Sequence, residues 1–398
     1  MGLHIGSLIL GVIILQQGIS LKVHSPHVAI IGGGIGGAVT SHFLTELFNE
    51  SVKIDLYEPK TIGGRLATIK IDEDEIEAGG SIIHSKNMYM QRFVKLLGLE
   101  KNPSSAGTFG IWNGDEFIFK ASDWSAVSLM KLFYRYGFQL YNLKRERERR
   151  EKVVPEHLIY RNKKVNVVPS RVTKIRNLVN DYDSSQYEVT YINKGSTDPM
   201  TSNYDIVIIA APLTSDQEFQ IEFAEFPDNL VFPGKYQTTY ATFIKADLKP
   251  KYFGLQEPLD GILSCNPNKT TISSVGKVGP VDGSIRKDPQ VWKVFSRKPL
   301  ESSLIHDMFS KVIEKKEIAW KAYPRYSTKM NFNNFKLHDA LYYVNAIEWA
   351  GSTMEMSAIA GRNVAILTYN DFIQKFPNSI LTSKDSKDTF KKLCSEDL

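Results

Sequence analysis

The sequence predicts an α/β fold carrying an inserted α+β domain, and three observations predict it. An apolar strand from Val28 to Ile31 runs straight into Gly32-Gly-Gly-Ile-Gly-Gly37, with helix-compatible residues from Ala38 to Phe48 behind it. A second apolar strand, Val52 to Tyr57, ends in Glu58. Far down the chain, Leu341 to Glu348 leads through Gly351-Ser352-Thr353 into a helix from Met354 to Gly361, the same plan of strand, small-residue turn and helix. Together they describe a Rossmann-like domain built from both ends of the chain.

The first turn has the GxGxxG spacing that admits a dinucleotide. Gly32 allows the tight turn, Gly34 lets backbone N–H groups approach a pyrophosphate, and Gly37 lets the helix settle on the strand. The positive N-terminus of that helix then faces the phosphates. Glu58 stands where a carboxylate accepts hydrogen bonds from the two hydroxyls of an adenosine ribose; a site for a 2′-phosphate would carry arginine instead. The competing reading of Glu58 is a solvated charge at a strand end.

With 398 residues, 42% hydrophobic and 23% charged, the chain has globular composition and enough length for two interleaved domains. Its net charge of +5 is modest, and the run Lys144 to Lys152 alternates sign so that its charges mostly cancel. Nucleic-acid binding is therefore poorly supported, and no nucleic-acid partner is expected. That run reads as an exposed helical face, with a membrane-surface patch as the alternative. No Asp, Glu, Lys or Arg precedes Lys22, and Leu8 to Leu15 is apolar. Residues 1–20 resemble a secretory signal peptide with cleavage near Ser20; the alternative is an anchor, although the apolar stretch is shorter than a bilayer span. Cys265 and Cys394 are the two cysteines, which gives no CxxC and no metal-ligand spacing. They are open to either a bridge or two free thiols. Asn49-Glu-Ser and Asn268-Lys-Thr are glycosylation acceptors on a secretory route.

Beyond Glu58 come Ile62-Gly-Gly-Arg-Leu-Ala-Thr68, an acidic strand pair, and Glu77-Ala-Gly-Gly-Ser-Ile-Ile-His84. This order resembles the flavin-binding signature of the amine oxidase and phytoene desaturase superfamily, and the resemblance implies FAD. Physically, Gly63 and Gly64 permit left-handed or closely approaching backbone. Arg65 brings a forked cation to a pyrophosphate oxygen, its competing reading being a surface cation in a turn. Gly79 and Gly80 carry the chain toward the isoalloxazine. Lys164 to Ile175 reads as turn then strand with a hairpin partner from Tyr187 to Tyr191, and the superfamily lays such a strand, here through Val172, over the adenine. Asp205 to Ala211 reads as a buried parallel strand whose turn at Pro212 passes close to the cofactor. At the far end, Gly351 to Thr353 cap a helix whose free N–H groups would face the flavin, with Glu348, Glu355 and Met356 as its cofactor residues. The expected organisation is a discontinuous FAD domain over 27–108, 157–213 and 327–370, a substrate domain over 109–156 and 214–326, and a tail over 371–398.

The wording of Val52 to Glu58, Gly63 to Thr68, Glu77 to His84, Tyr134-Arg-Tyr-Gly-Phe138, Ala322-Tyr-Pro324 and Met354 to Ala360 resembles prenylcysteine oxidase more closely than amine oxidases at large. The resemblance implies FAD-dependent oxidation of a small apolar thioether, farnesyl- or geranylgeranyl-cysteine, to cysteine, a prenyl aldehyde and hydrogen peroxide. Hydride leaves the carbon next to sulfur, water traps the cation, the adduct collapses to aldehyde and thiol, and dioxygen reoxidises the flavin. No protein nucleophile is required. His84 is the candidate catalytic residue, against a structural histidine beside the cofactor, and Trp320 and Tyr323 are candidates for an apolar prenyl pocket, against ordinary core. The family also implies a lysosomal location reached through the secretory pathway, or secretion, with lipoprotein or membrane-surface association. After Tyr134-Arg-Tyr-Gly-Phe138 the family carries a longer, largely helical stretch; this chain is shorter there by roughly eighty to a hundred residues. That departure predicts an open lid over the flavin and keeps two other readings in view: a flavin amine oxidase, and a catalytically impaired flavoprotein or lipid-binding paralogue.

Overall fold

The computed structural model describes residues 25–80, 82–99, 102–103, 108–121, 147–149, 154–178, 186–284, 288–329 and 333–377. The signal-peptide segment, Tyr134 to Phe138, Cys394 and most of the tail lie outside them. Among the described residues, no helix is long and apolar enough to cross a membrane.

Four-residue runs of branched apolar side chains cannot leave either face in water, and they form the middle of a six-stranded sheet. Its order is Val165–Val168, Lys53–Tyr57, His27–Ile31, Ile206–Ile209, Leu341–Tyr343 and Lys336–His338. The first five strands are parallel and only the last is antiparallel. Alternation sorts the side chains by face. Val28, Ile30, Ile54, Leu56, Ile206 and Ile208 pack under the helices Ile35–Leu47, Met88–Leu97, Val154–Arg161 and Met354–Lys375. Ala29, Ile31, Tyr57, Val207 and Ile209 face a small four-stranded sheet that contains Ser170–Asn177 and Tyr187–Asn193. The helices Ile35–Leu47 and Met354–Lys375 cross so closely that a Cβ on Gly361 would stand 2.9 Å from the Gly36 carbonyl oxygen.

The inserted part is a seven-stranded sheet drawn from residues 109–120 and 236–324. One face buries Trp112, Ile244, Trp292, Val294 and Phe309 against the helix Ser302–Met308. The other face buries Ala241, Phe243 and Val291 against Ile71 and Ile76 of the hairpin Thr68–Ile71 and Asp74–Glu77, and against Ala78, which follows it. Ala78 leads from that hairpin into Gly79-Gly80, so the inserted sheet reaches the glycine pair through it.

Three expectations are corrected. The charged run is not helical where it is described: Arg147–Arg149 is a strand paired with Ile82–His84 and Asn102–Pro103. Alternating charge has a period of two as well as of helical pairs, and neighbouring strand edges decided between them. Lys164 to Ile175 is two strands in two sheets, Val165–Val168 and Ser170–Asn177. The strand expected to run to Glu348 stops at Tyr343, and a 3-10 helix, Val344–Trp349, takes its place. This tighter turn sends the Glu348 carboxylate inward.

The sheet is tied by a polar cluster on Asp55. His27 Nε2 lies 2.8 Å from its carboxylate, Tyr204 donates at 2.9 Å, Asn166 donates at 2.9 Å, and the Tyr57 and Tyr204 hydroxyls meet at 2.5 Å. Burial alone would raise the Asp55 pKa, but the hydrogen bonds from His27, Asn166 and Tyr204 outweigh it and hold the carboxyl down to about 2. A depressed carboxyl stabilises the fold above its unfolded value and loses that contribution as pH falls toward the folded one. Asp55→Asn is therefore expected to cost about 2 kcal/mol near pH 6. In urea unfolding at stepped pH, the gap to the wild type narrows below about pH 4; a gap independent of pH contradicts this assignment.

Candidate functional site

The cradle starts at Gly32, whose φ of +114° is left-handed backbone and whose missing Cβ would stand 2.5 Å from the Ala210 carbonyl oxygen. A Cβ on Gly37 would meet the Gly32 carbonyl oxygen at 2.0 Å, which is how the helix seats on the strand. Gly34 is different: a Cβ there meets nothing within 4 Å, so its outer side is open. The helix Ile35–Leu47 starts at this opening with no acidic residue in its first turn.

Glu58 is positioned by the turn. Its carboxylate accepts from the Gly33 N–H at 3.0 Å and from the Lys60 N–H at 2.9 Å. Burial raises its pKa despite those two donors and Lys60. The second glycine turn is fastened to the first: Gly63 N–H donates to the Gly33 carbonyl at 2.9 Å, Gly64 has φ of +56°, and its Cβ would touch Gly34 Cα at 3.4 Å. Gly80 N–H donates to the Arg65 carbonyl at 3.0 Å, while a Cβ on Gly79 would stand 1.7 Å from that same oxygen. Met354, at the start of the long C-terminal helix, has its sulfur 3.8 Å from where a Gly80 Cβ would stand. Thr353 caps this helix by accepting from the Met356 N–H at 3.1 Å. The structure thus brings Gly32, Gly34, Gly37, Glu58, Gly64, Arg65, Gly79, Gly80 and the Met354–Met356 turn into one cradle.

Arg65 is turned inward. Its guanidinium donates to Glu348 and, at 2.8 Å, to the Ala322 carbonyl of the inserted sheet. Burial works against the charge, and the Glu348 carboxylate outweighs it and raises the Arg65 pKa. Glu348, 1% exposed, also accepts from Tyr236 at 2.8 Å and Asn345 at 2.6 Å. Tyr236 and Asn345 carry no motif and escaped sequence reading.

The remaining candidates are placed as follows. Glu355 accepts from the Tyr89 and Met90 N–H groups at 2.8 and 3.0 Å and so caps the helix Met88–Leu97. Val172 is buried with Ala29 and Tyr57 beneath the sheet. Pro212 lies just past Ala210, the residue that crowds Gly32. His84 is exposed, and its Nδ1 accepts from the Lys86 N–H at 3.0 Å, so it is not drawn into the cradle's hydrogen bonds. Trp320 packs with Ala78 and Phe243, and its indole nitrogen is buried without a hydrogen-bond partner among the described residues. Tyr323 is 41% exposed on the same strand. Asn49, Asn268 and Cys265 are exposed. No cluster of His, Cys, Asp and Glu among the described residues could hold a metal.

A glycine opening at a helix N-terminus, a carboxylate held by backbone N–H groups at the second strand end, and two turns that exclude Cβ atoms fit a dinucleotide lying across the strand ends. The NAD(P)-binding Rossmann-like domain profile matches residues 30–97. The Prenylcysteine lyase profile matches residues 148–379, more than half of the chain. The chain belongs to the prenylcysteine oxidase family. It is 30% identical to prenylcysteine oxidase 1 of Mus musculus over 86% of this chain and 88% of that protein. It is 29% identical to prenylcysteine oxidase 1-like of Bos taurus over 93% of this chain and 94% of that protein. The latter alignment runs over 473 positions, so within it the relative has about a hundred residues with no counterpart in this chain. Among solved structures, a putative protoporphyrinogen oxidase from Exiguobacterium sp. 255-15 superposes with TM-score 0.58 at 11% identity, over 88% of this chain and all of that one. Cyclohexylamine oxidase from Brevibacterium oxydans gives 0.55 at 14% identity over 88% of this chain and all of its own, and these likenesses speak for the fold. Fold and family together make the dinucleotide FAD and the enzyme class an FAD-dependent oxidase.

Proposed function

We propose that this chain oxidises the thioether of a prenylcysteine, releasing cysteine, a prenyl aldehyde and hydrogen peroxide in the breakdown of prenylated proteins. The observation that carries the reading is the cradle of Gly34, Glu58, Gly64 and Gly79 within a chain of this family. FAD, when bound, accepts hydride from the carbon beside sulfur and returns electrons to dioxygen. The chain's own residues bind and orient. Glu58, held by the Gly33 N–H, would bind the ribose hydroxyls, the N-terminus of Ile35–Leu47 would face the pyrophosphate, and the capped helix at Met354 would face the other end of the cofactor. Trp320 and Tyr323 lie on the strand Phe309–Pro324, whose Ala322 carbonyl is bound by Arg65, which puts an apolar wall next to the cradle. No side chain has to act as nucleophile in this reaction. A secretory route to the lysosome, or secretion with lipoprotein, accompanies this proposal on the strength of residues 1–20.

The test is turnover of farnesylcysteine by the FAD-loaded chain, with peroxide and free cysteine measured together. Equal amounts of both are expected. Peroxide from putrescine or cyclohexylamine with none from farnesylcysteine would establish an amine oxidase instead. The internal shortening by about a hundred positions favours a second reading, a chain that binds FAD and lipid without turnover. Bound FAD with neither product from any of these substrates selects it.

A further inference from the structure

Lys293 is a cation in the middle of Val291-Trp-Lys-Val-Phe295, a strand of the inserted sheet, and it is only 7% exposed. Its ammonium donates to the carbonyl of Gly79 at 2.9 Å and to that of Glu77 at 3.3 Å. The rings of Phe295 and Phe243 flank it at 4.7 and 5.6 Å from their centroids. Burial pushes its pKa down to about 8, with the Glu77 charge working the other way. A buried ammonium is costly, and a methionine of similar length would fill the space without that cost. What methionine could not do is hold two carbonyls of one turn. The turn is the one that enters the cradle: Gly80 bonds back to Arg65, Gly79 leaves no room for a Cβ there, and Met354 covers its far side. Lys293 is therefore the direct polar tie between the inserted sheet and the cofactor side of the Rossmann domain at this point. It acts on the backbone of the glycine pair and leaves its hydrogen-bonding edge fixed.

We propose that Lys293 is a positioning residue of the oxidase centre: it fixes the Gly79-Gly80 turn in the shape that receives the cofactor's ring system and sets a positive charge behind that turn. This rests on the FAD oxidase reading above. A charge placed there favours the electron-rich, reduced state of whatever ring system the turn receives.

The experiment compares the wild type with Lys293→Met and Lys293→Arg. In apoprotein, deuterium uptake over residues 77–80 rises in Lys293→Met and is restored by arginine. FAD affinity falls about tenfold or more in the methionine variant, the loss expected for a charge-assisted hydrogen bond. With both proteins saturated by FAD, the reduction potential of the methionine variant is lower and its visible spectrum shifts, while the arginine variant stays near the wild type. A saturated Lys293→Met with wild-type potential and spectrum overturns the proposal, even if its melting temperature falls, because a lysine that only stabilised the sheet would leave those two properties alone. Should Lys293→Met not fold, Lys293→Gln keeps a neutral N–H donor group without the charge and is read by the same potential. A wild type that binds no FAD ends the oxidase reading; unchanged deuterium uptake at Gly79 and Gly80 in the variant ends this one.

Discussion

Gly34→Ala is expected to weaken FAD binding about a hundredfold while leaving the fold intact, and Gly37→Ala to weaken both. The two glycines are three residues apart in one turn, yet their surroundings are opposite. A Cβ on Gly34 meets nothing within 4 Å, and its φ of −78° is one that alanine adopts freely. Unfolding stability is thus expected to stay within about 0.5 kcal/mol of the wild type. If the pyrophosphate lies at this opening, as proposed, the methyl group takes its space, and FAD affinity is expected to drop about a hundredfold. On Gly37 the Cβ would stand 2.0 Å from the Gly32 carbonyl oxygen, backbone against backbone, with no flexible atom to move aside. The helix Ile35–Leu47 has to lift off the sheet, at about 3 kcal/mol or more. Urea unfolding followed by FAD titration of each variant checks the contrast. Wild-type FAD affinity in Gly34→Ala would place the phosphates elsewhere.

Glu348→Ala is the most destabilising single change expected outside the glycines. It removes a carboxylate, 1% exposed, that accepts from Arg65, Tyr236, Asn345 and, at 3.4 Å, Ser352. The Arg65 guanidinium is left with a charge whose partner has gone, and breaking a buried pair from one side costs about 3–5 kcal/mol. About a third of the Arg65 side chain meets water, which screens the loss and points to the lower end of that range. Arg65 also holds Ala322 of the inserted sheet, and Tyr236 starts the strand Tyr236–Leu248 of that same sheet, so the variant loosens that sheet from the second glycine turn. Adding Arg65→Met to Glu348→Ala recovers part of the loss, because the unpaired charge is gone. Full additivity in that double-variant cycle, measured by urea unfolding, would show that the pair is not coupled.

The cofactor half of the fold was legible because its signals are local. Gly32 to Gly37 between an apolar strand and a helix, Glu58 at the next strand end, and Gly63-Gly64 each dictate backbone geometry on their own, and the structure joins them by the Gly63–Gly33 and Gly33–Glu58 hydrogen bonds. What escaped sequence reading is set by partners far away in the chain. Arg65 has the reach and charge for a phosphate, and only the 3-10 helix Val344–Trp349 reveals that Glu348 claims it from 283 positions away. Glu355 sits where a cofactor residue is expected and turns out to cap a helix start 266 positions earlier. The one missed residue with a signal was Lys293, since a single cation between Trp292 and Val294 in an apolar strand breaks the pattern of a buried sheet. The alternating charges around Arg147–Arg149 misled because sign alternation fits both a strand and a helix face, and only strand neighbours separate them.

Oxidation of a prenyl thioether by this chain requires that the cradle hold FAD in a form the thioether can reduce. The most direct measurement is the visible spectrum of the FAD-loaded chain under anaerobic conditions, before and after farnesylcysteine is added. A flavin band that bleaches on addition and returns when air is admitted is expected. A band that farnesylcysteine leaves unchanged, in a chain that holds its FAD tightly, would contradict thioether oxidation by this chain.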